Sequence, residues 1–162
     1  MISLIEVLRL HHWIKNLLIF LPFVASQQAF SANVLQSLFL GFLSFGLLAS
    51  ATYILNDILD LKNDRKHITK KYRSIPSGKI SIQTGFLIII ILIAAIFFIT
   101  QKFEENNFLL YLIAYLGLSL SYSLYLKKIV LLDCFLLSIL YTIRIFAGGE
   151  LVNIIPSFWL TT

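Results

Sequence analysis

The sequence predicts an all-α bundle of membrane-spanning helices, on three observations. Of its 162 residues, 59% are hydrophobic and mean hydropathy is +0.88. Charged residues make up 13%, about half the usual share of a soluble domain. The charges are also concentrated: seven of the thirteen Lys and Arg residues fall between positions 57 and 81, whereas Asn16 to Asn56 carries none. The net charge of +5 therefore follows the positive-inside pattern of membrane proteins. It gives little support to a nucleic-acid partner, because the basic loop is interleaved with acids and flanked by apolar runs. Phosphate-bearing substrates are a second use for the same charges. The single cysteine, Cys134, excludes an internal disulfide or a multi-cysteine metal site and reads as a small buried hydrophobe.

In chain order, residues 1–16 carry apolar positions at helical spacing beside Arg9, His11, His12, Trp13 and Lys15, which predicts an interfacial helix leading into the bilayer. The charge-free run that follows is too long for one span of about 20 residues. The polar break at Gln27, Gln28, Ser31 and Asn33 divides it into span 1, about 14–30, and span 2, about 34–56. Gly41, Ser44, Gly46 and Ser50 in span 2 favour close helix packing. Residues 57–81 form the one long polar loop, placed on the cytoplasmic side by its basic residues, and Ser74, Pro76, Ser77 and Gly78 predict turns in it. Span 3 lies in Ile80–Gln101, span 4 in Asn106–Leu126 ending at Lys127 and Lys128, and span 5 at about Ile129–Ala147, containing Asp133 and Arg144. Gly148 and Gly149 are expected to break that helix. Residues 156–160 resemble the start of a sixth span, so the chain reads as a single membrane domain, 1–162, that is truncated.

One stretch stands out chemically: Asn56-Asp57-Ile58-Leu59-Asp60-Leu61-Lys62-Asn63-Asp64-Arg65. If the helix entering it continues, at about 100° per residue, Asn56, Asp57, Asp60 and Asp64 share one arc of about 100°. Crowded carboxylates repel unless a cation sits among them. Oxygen-only ligands suit Mg²⁺, usually shared between carboxylates and substrate phosphates. The plainer reading is a solvated acidic helix end beside a basic loop.

Three segments resemble the UbiA superfamily of intramembrane prenyltransferases. Leu10-His11-His12-Trp13-Ile14-Lys15-Asn16, followed by Phe20, Pro22 and Phe23, is similar to the pattern RPxxWxKN…FxP. Asn56 to Arg65 matches NDxxDxxxDR. Lys71-Tyr72-Arg73-Ser74-Ile75-Pro76-Ser77-Gly78 is similar to KxRPIxSG. Ser74 stands in place of a Pro, and His11-His12 is read as standing where Arg-Pro is common. The Trp-Ile-Lys-Asn run, Tyr122 to Lys127 with Leu132-Asp133, and Arg144 to Gly149 resemble the decaprenyl-phosphate phosphoribosyltransferase branch.

The resemblance implies a ring of nine helices around a cavity in a bacterial inner membrane, with its active face cytoplasmic. It implies Mg²⁺-dependent transfer of 5-phosphoribose from phosphoribosyl diphosphate to a polyprenyl phosphate. Asn56, Asp57, Asp60 and Asp64 would hold the metal, with Asp57 and Asp60 as catalytic groups. Lys15, Asn16, Arg65, Lys71, Arg73 and Lys127 would bind substrate, the cations pairing phosphate oxygens. For Lys15 the alternative is an interface anchor beside Trp13, and for the loop cations it is a topogenic role. The rival activity attaches an isoprenyl chain to an aromatic acceptor. A third reading is an inactive fragment, because the family's second Asp motif is not in these residues. A separate chain supplying the other half, or further copies of this chain, would then complete the site.

Overall fold

The computed structural model describes residues 6–26, 29, 31–103, 107–124 and 130–154, with only the backbone of 130–133. These residues form helices and turns. A 3₁₀ segment, Leu10–Phe20, runs into the short helix α1, Leu21–Ser26. The long helix α2 is Ala32–Leu59, the single turn α3 is Leu61–Asp64, and a 3₁₀ turn covers Lys70–Tyr72. The remaining helices are α4, Ile82–Thr100, α5, Phe108–Leu124, and α6, Val130–Leu151.

Helix α2 begins where Ser31 Oγ accepts a hydrogen bond from the Val34 N–H, and α4 where Ser81 Oγ accepts from that of Thr84. Each caps one of the N–H groups that the first turn leaves open. At 28 residues α2 reaches about 42 Å, enough for a hydrocarbon core of about 30 Å with excess. Among the described residues, three helices are long and apolar enough to cross a membrane: α2, α4 and Cys134–Leu151 of α6, with the 17-residue α5 shorter. Phe86, Ile90, Ile93 and Phe97 of α4 are exposed. Such a face belongs against lipid.

Span 1 departs from expectation. It is a 3₁₀ segment followed by a short α-helix, and no regular α-helix runs from 14 to 30. A 3₁₀ helix has three residues per turn, so side chains at i and i+3 eclipse. Trp13, Asn16, Ile19 and Pro22 follow that period; the last three are buried, while Ile14 and Leu17 between them are exposed. Pro22 sits in the first turn of α1, where its missing N–H costs least. The interfacial helix is also interrupted, because Arg9 adopts a left-handed backbone (φ 50°, ψ 48°).

Small residues then set the packing, as the sequence suggested. A Cβ on Gly46 would lie 2.6 Å from the Trp13 ring. At Gly148 it would collide with the Ile19 carbonyl. Helix α6 therefore continues through Gly148 and Gly149 to Leu151 instead of breaking there. The leading segment packs backbone-to-backbone against that glycine. The main core joins Ile19, Phe45, Phe108, Tyr115 and Ala147; a second, around Ile54, Ile75 and Ile80, ties the polar turns to α2 and α4. Cys134 is exposed, not buried, because it lies in the first turns of α6, outside either core.

Candidate functional site

The site grows from the polar end of α2. The helix ends at Leu59, Asp60 makes one turn residue (φ −88°, ψ 7°), and α3 resumes the helical path. Residues seven apart stay on one face of such a path. Asp57 and Asp64 accordingly turn the same way, each only 3% exposed. Burying two carboxylates together requires positive partners.

Arginines supply them from two directions. Arg9 Nη2 donates to both oxygens of Asp57 at 2.6 Å. Arg73 Nη1 donates to Asp57 Oδ1 at 3.1 Å and Asp64 Oδ2 at 3.0 Å. Lys70 Nζ lies 3.8 Å from Asp64 Oδ1. Each arginine is aimed by local structure. Ser50 Oγ donates to the Leu8 carbonyl at 2.7 Å and accepts from the Trp13 indole at 3.1 Å, bracketing the strained Arg9. Ile75, 2% exposed, anchors the turn that follows Arg73. Gly78 closes that turn at φ 81°, a backbone that suits glycine.

Two clefts flank this network. One, of about 280 Å³, is lined by Arg9, Asp57, Thr69 and Arg73. The other, of about 450 Å³, is lined by Asp60, Asn63, Asp64, Lys70 and Ser123. The sequence placed Asn56, Asp57, Asp60 and Asp64 together as one metal set, but the structure divides them. Asp57 is committed to two arginines, and the Asn56 side-chain carbonyl accepts a hydrogen bond from Ser123. Among the described residues no three acidic, His or Cys side chains converge closely enough to cage an ion. The donors of the second cleft still fit Mg²⁺ in kind. Asp60, Asn63 and Asp64 offer oxygens, and this ion normally completes its shell with water and substrate phosphates.

The other expected residues fall in different places. Asn16 is buried in the core, its Oδ1 accepting from Arg144 Nε at 2.8 Å. Arg144 also donates to the Leu140 carbonyl and to Tyr115 Oη at 3.0 Å, so it joins the leading segment, α5 and α6. Lys15 Nζ sits 5.8 Å from the centre of the Tyr141 ring, which Arg144 also approaches. Arg65 Nε donates to the Pro76 carbonyl at 3.2 Å, and so holds the turn behind Arg73. Lys71 is exposed, lying over the Tyr72 ring. Lys127 lies outside the described residues.

His12, at the polar end of the leading segment, has its pKa held below the ordinary histidine value, first by burial and then by His11, Lys15, Arg9 and Arg73. It is therefore neutral at pH 7, and the positive field over Asp57 comes from arginine.

A model of the UbiA prenyltransferase family matches residues 17–162. The chain belongs to the UbiA prenyltransferase family. Among curated relatives, it is 41% identical over 153 residues to the uncharacterized protein y4nM of Sinorhizobium fredii, covering 94% of this chain and 30% of that one. It is 38% identical to the nodulation protein NoeC of Azorhizobium caulinodans, covering 96% and 50%. It is 29% identical to a decaprenyl-phosphate phosphoribosyltransferase of Mycobacterium tuberculosis, covering 97% and 53%. The chain thus spans about half the length of these relatives, or less. A solved structure described as concerning digeranylgeranylglyceryl phosphate synthase in membranes superposes with a TM-score of 0.74 at 20% identity, over 93% of this chain and 54% of that one. The shared fold, the apolar helices and the family together make this an integral membrane protein.

The UbiA pattern also corrects a register. Counted back from Trp13, the Arg of RPxxWxKN falls on Arg9 and its Pro on Leu10, so His11 and His12 occupy the unspecified positions. Arg9 is a site residue absent from the sequence candidates, and that count is the signal that finds it. Ser50 and Ser123 were missed too. The sequence marked Ser50 only as a packing residue and Ser123 only as part of the Tyr122–Lys127 run.

Proposed function

We propose that the chain carries the diphosphate-binding site of a Mg²⁺-dependent transferase that moves 5-phosphoribose from phosphoribosyl diphosphate to a polyprenyl phosphate. The observation that carries this reading is the alternating cluster Arg9, Asp57, Arg73, Asp64, Lys70 at the end of a membrane helix, beside a cleft with oxygen donors. Relatives named decaprenyl-phosphate phosphoribosyltransferase support the choice of substrates. The acceptor oxygen of the polyprenyl phosphate would form a bond to ribose C1 as the bond from C1 to the diphosphate oxygen breaks. The diphosphate leaves with the electron pair. The acceptor is already an anion, so no strong base is needed.

Asp60 and Asp64, with Asn63, would hold Mg²⁺, which neutralises charge on the leaving diphosphate. Arg9 and Arg73 then have a second use. Guanidinium groups that now hold Asp57 are equally suited to phosphate oxygens. The reacting end of the lipid would meet this face on the cytoplasmic side of a bacterial inner membrane, as the basic 57–81 segment suggests.

The test is a lipid-extraction assay. Membranes carrying the protein receive phosphoribosyl diphosphate labelled in the ribose, polyprenyl phosphate and Mg²⁺. Label is expected in the lipid phase, and its loss is expected in Asp60→Ala and Asp64→Ala. Label entering lipid only from an isoprenyl diphosphate would replace this reading with prenyl transfer.

A further inference from the structure

Beside the cleft of Asp60 and Asp64 lies a second pocket. It is lined by α2, α5 and α6 and measures about 110 Å³, well above the ~10–15 Å³ that admits a water. Leucines line much of it, and Thr52, Tyr53, Asn56, Tyr115, Ser119, Tyr122 and Ser123 bring hydroxyls and one amide to its walls. It shares Leu59 and Ser123 with the cleft of Asp60 and Asp64, so the two spaces adjoin.

Several of these groups have hydrogen-bonding capacity left over. Among the described residues, Tyr53 Oη and Ser119 Oγ make no hydrogen bond. Tyr115 Oη accepts from Arg144, which leaves its own O–H free to donate. The Asn56 carbonyl accepts from Ser123, which leaves its NH₂ to donate. A hydrocarbon chain seated here would leave these groups dehydrated and unpaired. A compact ligand rich in hydroxyl groups would pair them.

We propose that this pocket is the seat of a polyhydroxylated sugar, the ribosyl part of the donor, with Tyr53 and Ser119 as the residues that select it over an isoprenoid. The proposal rests on the phosphoribosyl reading above. It adds where the sugar goes and which side chains recognise it. The diphosphate occupies the cleft of Asp60, and the ring extends past Asn56 toward Tyr115.

The experiment is calorimetric titration of the purified protein in Mg²⁺ with two ligands, phosphoribosyl diphosphate and inorganic diphosphate, which lacks the sugar. Ser119→Ala suits a helix, and Tyr53→Phe keeps the ring that Arg9 lies over, so both variants should fold. Each is expected to weaken phosphoribosyl diphosphate by about fivefold, the weight of one neutral hydrogen bond, and to leave inorganic diphosphate unchanged. If wild type prefers the sugar-bearing ligand but neither variant alters the preference, the pocket assignment is overturned and the donor reading stands. If wild type binds both ligands alike, the donor reading falls and the pocket assignment falls with it. Equal weakening of both ligands would mean that the hydroxyls only support the carboxylate end, which also overturns the proposal.

Discussion

Arg73 is the residue on which the polar end depends. A single nitrogen of its guanidinium bridges Asp57 and Asp64, two carboxylates that are each 4% exposed at the side chain. Arg73→Ala leaves them facing each other with Arg9 and Lys70 as remaining partners. Removing one partner of a buried ion pair costs about 3–5 kcal/mol. Arg73 is one-third exposed, so water should reduce this toward the lower figure. A fall in the detergent-solubilised thermal midpoint, with incomplete recovery in Arg73→Lys, checks it; full recovery would mean that bridging is unimportant. Ser50→Ala removes both hydrogen bonds that bracket Arg9 and should destabilise by about 1–3 kcal/mol in the same measurement.

His12 makes a pH prediction. Its pKa in the folded protein lies below the unfolded value of about 6.5, because burial and neighbouring cations disfavour its charged form. The unfolded state therefore binds the proton first as pH falls. The contribution of His12 to stability is present above pH 6.5 and is lost as pH drops through the folded value. His12→Gln should flatten the midpoint-versus-pH curve below about pH 6.5; an unchanged slope would contradict this.

At the scale of elements, the sequence was most legible where apolar runs were long and bounded by polar residues. Spans expected at 34–56, within 80–101 and within 106–126 appear as Ala32–Leu59, Ile82–Thr100 and Phe108–Leu124. Hydropathy gives length but not the turn geometry of a short run, so it missed the 3₁₀ character of Leu10–Phe20. The pattern was present all the same, in the three-residue period of Trp13, Asn16, Ile19 and Pro22. Gly148 and Gly149 were misread for a related reason. Their propensity favours a break, but the close approach of Ile19 rewards a helix that carries no side chain there. Gly148→Ala should therefore destabilise despite improving helix propensity, by at least the 1–3 kcal/mol typical of overpacking. A raised midpoint would show that the two segments are not in contact.

At the scale of the whole molecule, the Asp-rich run was found directly from sequence because clustered carboxylates are rare in an apolar chain. Of its partners, Arg73 was expected to bind substrate rather than to pair with it, and Arg9 was not expected at all. Arg9 lies 48 residues from Asp57 and Arg144 lies 128 from Asn16, and such pairs are set by how helices pack, which no local pattern reports. Arginine neutralises Asp57, while Asp60 lines a separate cleft with Asn63 and Asp64. The molecule therefore brings together an arginine pair, Arg9 and Arg73, and an oxygen-donor cleft at one end of its helices.

The most direct test of that arrangement is binding of inorganic diphosphate to the purified protein, with and without Mg²⁺, in wild type and in Asp60→Asn. The account predicts saturable binding that needs Mg²⁺ and weakens at least tenfold in the variant, which loses a charged metal ligand at little change in shape. Binding that is equally tight without Mg²⁺, or unaffected by Asp60→Asn, would contradict it and leave the cluster as a structural fastening at the end of α2.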